Sequence, residues 1–195
     1  MGNIFYLMGK SSSGKDTIYQ ELLKDKELNL KKAVLYTTRP IREGEIDGIT
    51  YHFTDESELV RLQKEHKVIE VRSYDTIKGK WYYFTVDDGQ FQETCEDIIM
   101  IGTLESYTKM KDYFGKRVFP VFITLEDGER LLRAIRREQQ QKTPVYAEVC
   151  RRFLADEKDF SPHHLQENNI VRTFENDQLG RCVTEIKEYI KEKQI

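Results

Sequence analysis

The chain has 195 residues, 38% of them hydrophobic and 33% charged, which fits one soluble domain or one core carrying a sizeable insertion. A second independent core is not expected at this length. The formal charge of −3 excludes a nucleic-acid or polybasic membrane surface as a general property, so any anion site must be a local cluster of cations.

Ile4, Phe5, Tyr6, Leu7 and Met8 form an apolar run, expected to be a buried strand, that ends in G-K-S-S-S-G-K-D over residues 9–16. With helix-compatible sequence after it, this is the strand, loop and helix context of a phosphate-binding loop, and the spacing G-x-x-x-x-G-K is met in full. Gly9 and Gly14 permit backbone geometries that let successive N–H groups converge on phosphate oxygens at a helix N-terminus. Ser11, Ser12 and Ser13 line the turn, and Lys15 supplies a point charge for the outer phosphates. The next position, normally a magnesium-binding Ser or Thr, is Asp16, with Thr17 one place late. A carboxylate there can hold Mg²⁺ through the ion's waters.

A helix is expected over residues 16–28 with Ile18, Leu22 and Tyr19 inward, then a charged exposed turn over 24–32 and a strand over 33–37. Residues 37–53 place Arg39 and Arg42 beside Pro40 and two turn glycines, hence on an ordered loop. Thr54 or Asp55 can cap a helix to about His66 with Leu59, Val60 and Leu62 on its apolar side. Residues 68–71 look like a strand, in which Glu70 points away from Ile69 and Val71; on this residue alone, solvent exposure is the expectation. A turn over 76–80 leads to an aromatic strand over 81–86.

From there, apolar runs at 98–102 and 118–123 separated by a helix over 105–114 indicate parallel strands with crossover helices. Residues 127–139 are an arginine-dense helix (Arg130, Arg133, Arg136, Arg137), followed by a polar hinge and a second helix over 145–160 with Arg151 and Arg152; basic helices of this kind are ordinarily solvated faces. Ile170 and Val171 read as a short last strand, and 177–193 as an amphipathic helix with Leu179, Cys182, Val183, Ile186 and Ile190 inward. Cys95, Cys150 and Cys182 are too scattered for a metal-ligand pattern and odd in number, which suits a reducing compartment. No basic leader precedes the first strand and no apolar run approaches a membrane span, so a cytoplasmic protein is expected.

The stretch T-T-R-P-I-R-E-G-E-I-D-G-I-T-Y-H-F over residues 37–53 resembles the acceptor-binding signature of guanylate kinases, T-T-R-x-P-R-x-G-E-x-x-G-x-x-Y-x-F, with the proline moved one place. The resemblance implies a three-layer α/β phosphate-loop kinase fold with a parallel core sheet (about 1–34 and 95–195), a small antiparallel acceptor-binding insertion (about 35–94) and a helical arginine lid (about 130–155). It further implies that Arg39, Arg42 and Tyr51 hold the phosphate of GMP, with Tyr83 adding a contact. Glu70 would accept from the guanine N1–H and exocyclic amine, and Thr85 would bond O6. ATP would be the donor, with Mg²⁺ held at Asp16. The cations at the transferred phosphoryl group would be Lys15, Arg152 and either Arg136 or Arg137.

Three further places depart from the family. Leu35 replaces a serine, Phe84 a glycine, and the aspartate-rich strand end reads I-G-T-L-E, where Thr103 is the nearest match to the lost acid. The resemblance implies small-molecule partners only, with neither nucleic acid nor membrane, and a monomer or homodimer. Two other readings fit parts of the sequence: a ribose 1,5-bisphosphate kinase, which shares the G-K-D in its phosphate loop, and a non-catalytic binding module on the same fold, against which the intact Gly14 and Lys15 speak.

Overall fold

Every side chain of β1 (Ile4–Met8) is fully buried, because this strand lies in the middle of the main sheet with helices on both of its faces. The computed structural model describes residues 2–76, 79–92 and 96–194; Ile77 and Lys78 of the expected turn, and Cys95, lie outside the described residues. In chain order the elements are α1 (Lys15–Lys24), β2 (Lys31–Lys32), β3 (Tyr36–Thr37), β4 (His52–Phe53), α2 (Glu56–Lys64), β5 (Val68–Thr76), β6 (Gly79–Val86), β7 (Ile98–Ile101), α3 (Leu104–Phe114), β8 (Val118–Thr124), α4 (Asp127–Gln139), α5 (Tyr146–Asp159), α6 (Pro162–Glu167), β9 (Thr173–Glu175) and α7 (Leu179–Lys193).

The main sheet has the order β2-β7-β1-β8-β9 with every pairing parallel, as the apolar runs and intervening helices predict. Alternation along β1 sends Phe5 and Leu7 to one face, against Ile18 and Leu22 of α1 and Cys182, Ile186 and Ile190 of α7. Ile4, Tyr6 and Met8 go to the other, against Leu104, Tyr107 and Met110 of α3. The result is a three-layer α/β fold. The second sheet, β4-β3-β6-β5, is antiparallel except for the two-residue β3–β4 pairing, and it buries Phe84 and Val86 against Leu59 and Leu62 of α2. No helix among the described residues is long and apolar enough to cross a membrane.

Several sequence expectations require correction. Of the strand expected over 33–37 only Tyr36–Thr37 (β3) forms, because residues 33–35 carry the chain from β2 in the main sheet to β3 in the second; the Gln90 side chain takes over the ladder's role at Val34, accepting from its N–H at 2.9 Å and donating to its carbonyl at 3.2 Å. The last strand is β9 rather than residues 170–171: Ile170 is buried, but Val171 is 90% exposed and β8 pairs with Thr173–Glu175. α1 stops at Lys24, although Leu28 still packs into the core. Val60 and Leu179 sit on exposed rather than inward faces. The short α6, capped by Ser161 with Pro162 at its first position, carries too little hydrophobic periodicity to be foreseen.

Candidate active site

The loop between β1 and α1 is held in shape by contacts that only small residues allow. A Cβ on Gly9 would meet the Ile123 carbonyl oxygen at 2.5 Å, and one on Gly14, whose φ is +87°, would meet Asn176 Nδ2 at 2.2 Å. That Asn176 amide donates to the Ser13 carbonyl at 2.8 Å, fixing the turn from the far edge of the sheet. Ser12 adopts a left-handed φ of 64°. The Ser12 and Ser13 hydroxyls are buried with no hydrogen-bond partner among the described residues. α1 begins at Lys15 without a side-chain N-cap, so its first N–H groups open toward the loop, where the helix dipole favours an anion. Lys15 forms no ion pair among the described residues, while Asp16 and Thr17 are exposed in the first turn.

The second group of candidate residues shares one face of the second sheet. The register Glu70↔Thr85, Arg72↔Tyr83, Tyr74↔Trp81 puts Glu70, Arg72 and Tyr74 beside Thr85 and Tyr83. Arg39, 4% exposed, is gripped by Glu45 through Nη1 at 2.7 Å and Nη2 at 2.5 Å, and its Nε donates to the Tyr83 hydroxyl at 3.0 Å. Its guanidinium also lies over the Tyr51 ring, 5.2 Å from the centroid, and Tyr51 meets Tyr83 edge-on. The Arg39 partnership holds the Glu45 carboxyl down to about 2, and burial raises the Tyr51 hydroxyl above its ordinary value. Arg42 is exposed; its backbone N–H donates to Glu45, and its guanidinium makes no hydrogen bond or ion pair among the described residues.

Glu70 is buried, not exposed as its isolated position suggests. Its Oε1 accepts from Thr85 Oγ1 at 2.7 Å, and Arg72 reaches it through Nε at 3.1 Å and Nη2 at 3.3 Å. Thr103 caps α3 in a capping box with Ser106 and, together with Arg72, Tyr74 and Glu105, lines a cavity of about 570 Å³.

The arginine-rich helices α4 and α5 pack on each other and on the loop. Here the expectation of a solvated face fails at Arg130, which is fully buried. It donates to Asp127 at 2.7 Å, Glu157 at 2.8 Å and the Ser11 carbonyl at 3.1 Å, over the Phe153 ring. Asp156 accepts from the Ser11 N–H at 2.7 Å, and Glu157 pairs with Lys10 at 2.6 Å. Arg137 and Arg152 face a common cavity of about 480 Å³ that also touches Ser11; Arg136 is exposed and does not line it. Arg152 rests on Glu148 at 2.8 Å, and with Arg151 it holds that carboxyl down to about 2.

Sequence reasoning missed Glu45, Arg72, Arg130 and Asn176. Glu45 had a signal, as part of the R-E-G-E turn, and Arg72 had one in its two-residue spacing from Glu70. The other two act through contacts far apart in sequence that no local pattern announces.

A parallel sheet whose central strand runs into a glycine-bracketed loop at a helix N-terminus, with cation-bearing elements on two sides of it, defines the phosphate-loop α/β class. Within that class the guanylate kinase family model matches residues 1–193, and the chain belongs to that family. It is 29% identical over 190 residues to the guanylate kinase of Caldanaerobacter subterraneus subsp. tengcongensis, covering 97% of this chain and 86% of that protein. It is 26% identical over 192 residues to that of Porphyromonas gingivalis, covering 97% of each. Among solved structures, the guanylate kinase of Anaplasma phagocytophilum superposes with a TM-score of 0.66 at 18% identity, covering the whole of this chain and 87% of that one, a likeness of fold.

Proposed function

We propose that the protein transfers the γ-phosphoryl group of ATP to a nucleoside monophosphate, GMP in the first instance. The observation that carries this reading is the single face on which Arg39, Tyr51 and Tyr83 adjoin the buried Glu70–Thr85 pair: a phosphate clamp beside a carboxylate able to accept from a base. Residues 35–94 would serve as the acceptor-binding unit and 130–155 as the lid.

The chemistry follows from charge. Phosphoryl transfer needs positioning and electrostatic neutralisation rather than a covalent intermediate. The loop N–H groups and Lys15 would hold the donor's outer phosphates, and the buried Ser12 and Ser13 hydroxyls give an anion further polar partners. Arg39 and Arg42 would fix the acceptor phosphate, Arg39 pre-oriented by Glu45. Arg137 and Arg152, facing one cavity with Ser11, would meet the charge on the transferred group, Arg152 exchanging Glu148 for phosphate.

Asp16 suits Mg²⁺ as an exposed carboxylate with no side-chain partner among the described residues. Mg²⁺ keeps several of its waters, so one carboxylate together with substrate phosphates would hold it. Bound there, Mg²⁺ would neutralise the donor's β- and γ-oxygens.

The test is a coupled ADP-release assay across GMP, dGMP, AMP, UMP, CMP and ribose 1,5-bisphosphate. Preferential turnover of GMP or dGMP is expected. Turnover of the bisphosphate alone, or of none, overturns the reading.

A further inference from the structure

Glu70 is not free to read a base by itself. A carboxylate offers about four lone-pair sites, and three are taken: Oε1 by Thr85 and by Arg72 Nη2, Oε2 by Arg72 Nε. A guanine also presents two acceptors, O6 and N7, which a carboxylate cannot satisfy, so a second group, a donor, must share the orientation of the ring.

Arg72 stands where that group is needed. Its register partner is Tyr83, whose hydroxyl touches Arg39, while its neighbour on the same face is Glu70, so it lies midway between the phosphate clamp and the carboxylate. One edge of the guanidinium, Nε and Nη2, grips Glu70. The other edge, Nη1 with the second Nη2 hydrogen, has no partner among the described residues. The side chain is 14% exposed and lines two cavities, the one of about 570 Å³ shared with Tyr74, Thr103 and Glu105, and one of about 440 Å³ shared with Glu70 and Ser106.

We infer that Arg72 is a specificity-determining residue whose free guanidinium edge donates to O6 and N7 of a guanine acceptor while its other edge braces Glu70. The fork of two N–H groups matches these two adjacent acceptors, whereas adenine offers N7 beside an amine that would repel it. Guanine is then read from both sides, by Glu70 on the Watson–Crick edge and by Arg72 on the edge nearer the phosphate clamp. This inference rests on the guanine reading proposed above.

The experiment compares kcat/KM and calorimetric affinity for GMP, 7-deaza-GMP, which lacks the N7 acceptor, and IMP, which lacks the exocyclic amine. The full-length chain is used as wild type, Arg72→Gln and Arg72→Lys, each checked for an unchanged thermal unfolding profile. Wild type should prefer GMP over 7-deaza-GMP by about tenfold or more, the worth of a hydrogen bond from a charged donor. That ratio should fall toward one in Arg72→Gln and to an intermediate value in Arg72→Lys, while the GMP-to-IMP ratio persists. If Arg72→Gln does not fold, Arg72→Lys alone decides, since an undiminished ratio there refutes the fork. Equal use of GMP and 7-deaza-GMP by wild type overturns the Arg72 assignment and leaves the guanine reading standing. Loss of both ratios together would make Arg72 only a brace and also overturns it. Absence of any GMP turnover by wild type overturns both.

Discussion

At the scale of single residues, the site separates groups already committed to a partner from groups left open. Lys10 is bound to Glu157, whereas Lys15, five positions later, has no ion pair among the described residues. Lys15→Ala should therefore lower kcat by about a hundredfold or more, as loss of one electrostatic contact to a reacting phosphate does, with an unchanged circular dichroism spectrum. Near wild-type turnover would remove the donor from this loop. Asp16→Ala should raise the Mg²⁺ concentration for half-maximal activity; an unaltered requirement would make Asp16 only a favourable charge at the helix start. Glu45 offers a test by pH. Its carboxyl is held at about 2, below the ordinary value near 4.3, chiefly by hydrogen bonds from Arg39. A depressed carboxylate contributes stability that is complete above the unfolded value and is lost as pH falls through the folded one, here from about 4.3 down to about 2. Side-chain carbon NMR should show Glu45 titrating near 2 in wild type and near its ordinary value in Arg39→Ala.

At the scale of elements, the long, strongly patterned pieces were legible and the junctions were not. The bounds of α4, and those of β7 to within one residue, follow from composition and periodicity, but the passage of residues 33–35 from one sheet to the other involves Gln90, whose relation to Val34 exists only after folding. The same limit hid Arg130. On a helical wheel it is one of four arginines, and only the packing of α5 shows that it is enclosed by Asp127, Asp156, Glu157 and Ser11. The energetic consequence differs sharply from that of its neighbours. Arg130→Ala leaves Asp127, Asp156 and Glu157 with Lys10 as their remaining cation and should cost about 3 kcal/mol in urea unfolding, the lower end for a buried pair because Lys10 stays in place and Asp127 and Glu157 are partly solvated. Arg151→Ala, which removes an exposed pair with Glu148, should cost under about 1 kcal/mol. Hydrogen exchange in Arg130→Ala should quicken first in α5, since Arg130 and the Asp156–Ser11 contact tie that helix to the loop. Equal effects of the two substitutions would contradict this account.

At the scale of the whole molecule there are two sheets, the parallel one presenting the loop and the smaller one carrying the face proposed to bind the acceptor. The 37–53 signature and the 9–16 loop stood out because each is contiguous in sequence. The pairing of Arg72 with Glu70 was not, since strand parity says that two residues share a face without saying that they touch. Selectivity is the property of the assembled whole. Glu70→Gln should reduce the ratio of kcat/KM for GMP over AMP by about tenfold, the consequence of leaving a buried donor poorly paired, whereas Arg42→Ala should weaken both acceptors alike. A ratio that stays constant in Glu70→Gln would refute the base-reading role. The central place of β1 has a further bearing on how the chain is made. Ile4 pairs with Ile98 on one side and Val118 on the other, so this fully buried strand leaves the ribosome long before either neighbour exists. At roughly 5–20 residues per second its partners trail it by on the order of ten seconds, during which five consecutive apolar side chains and an unpaired strand edge must be shielded, by α1 or by a holding chaperone, from pairing with another nascent chain.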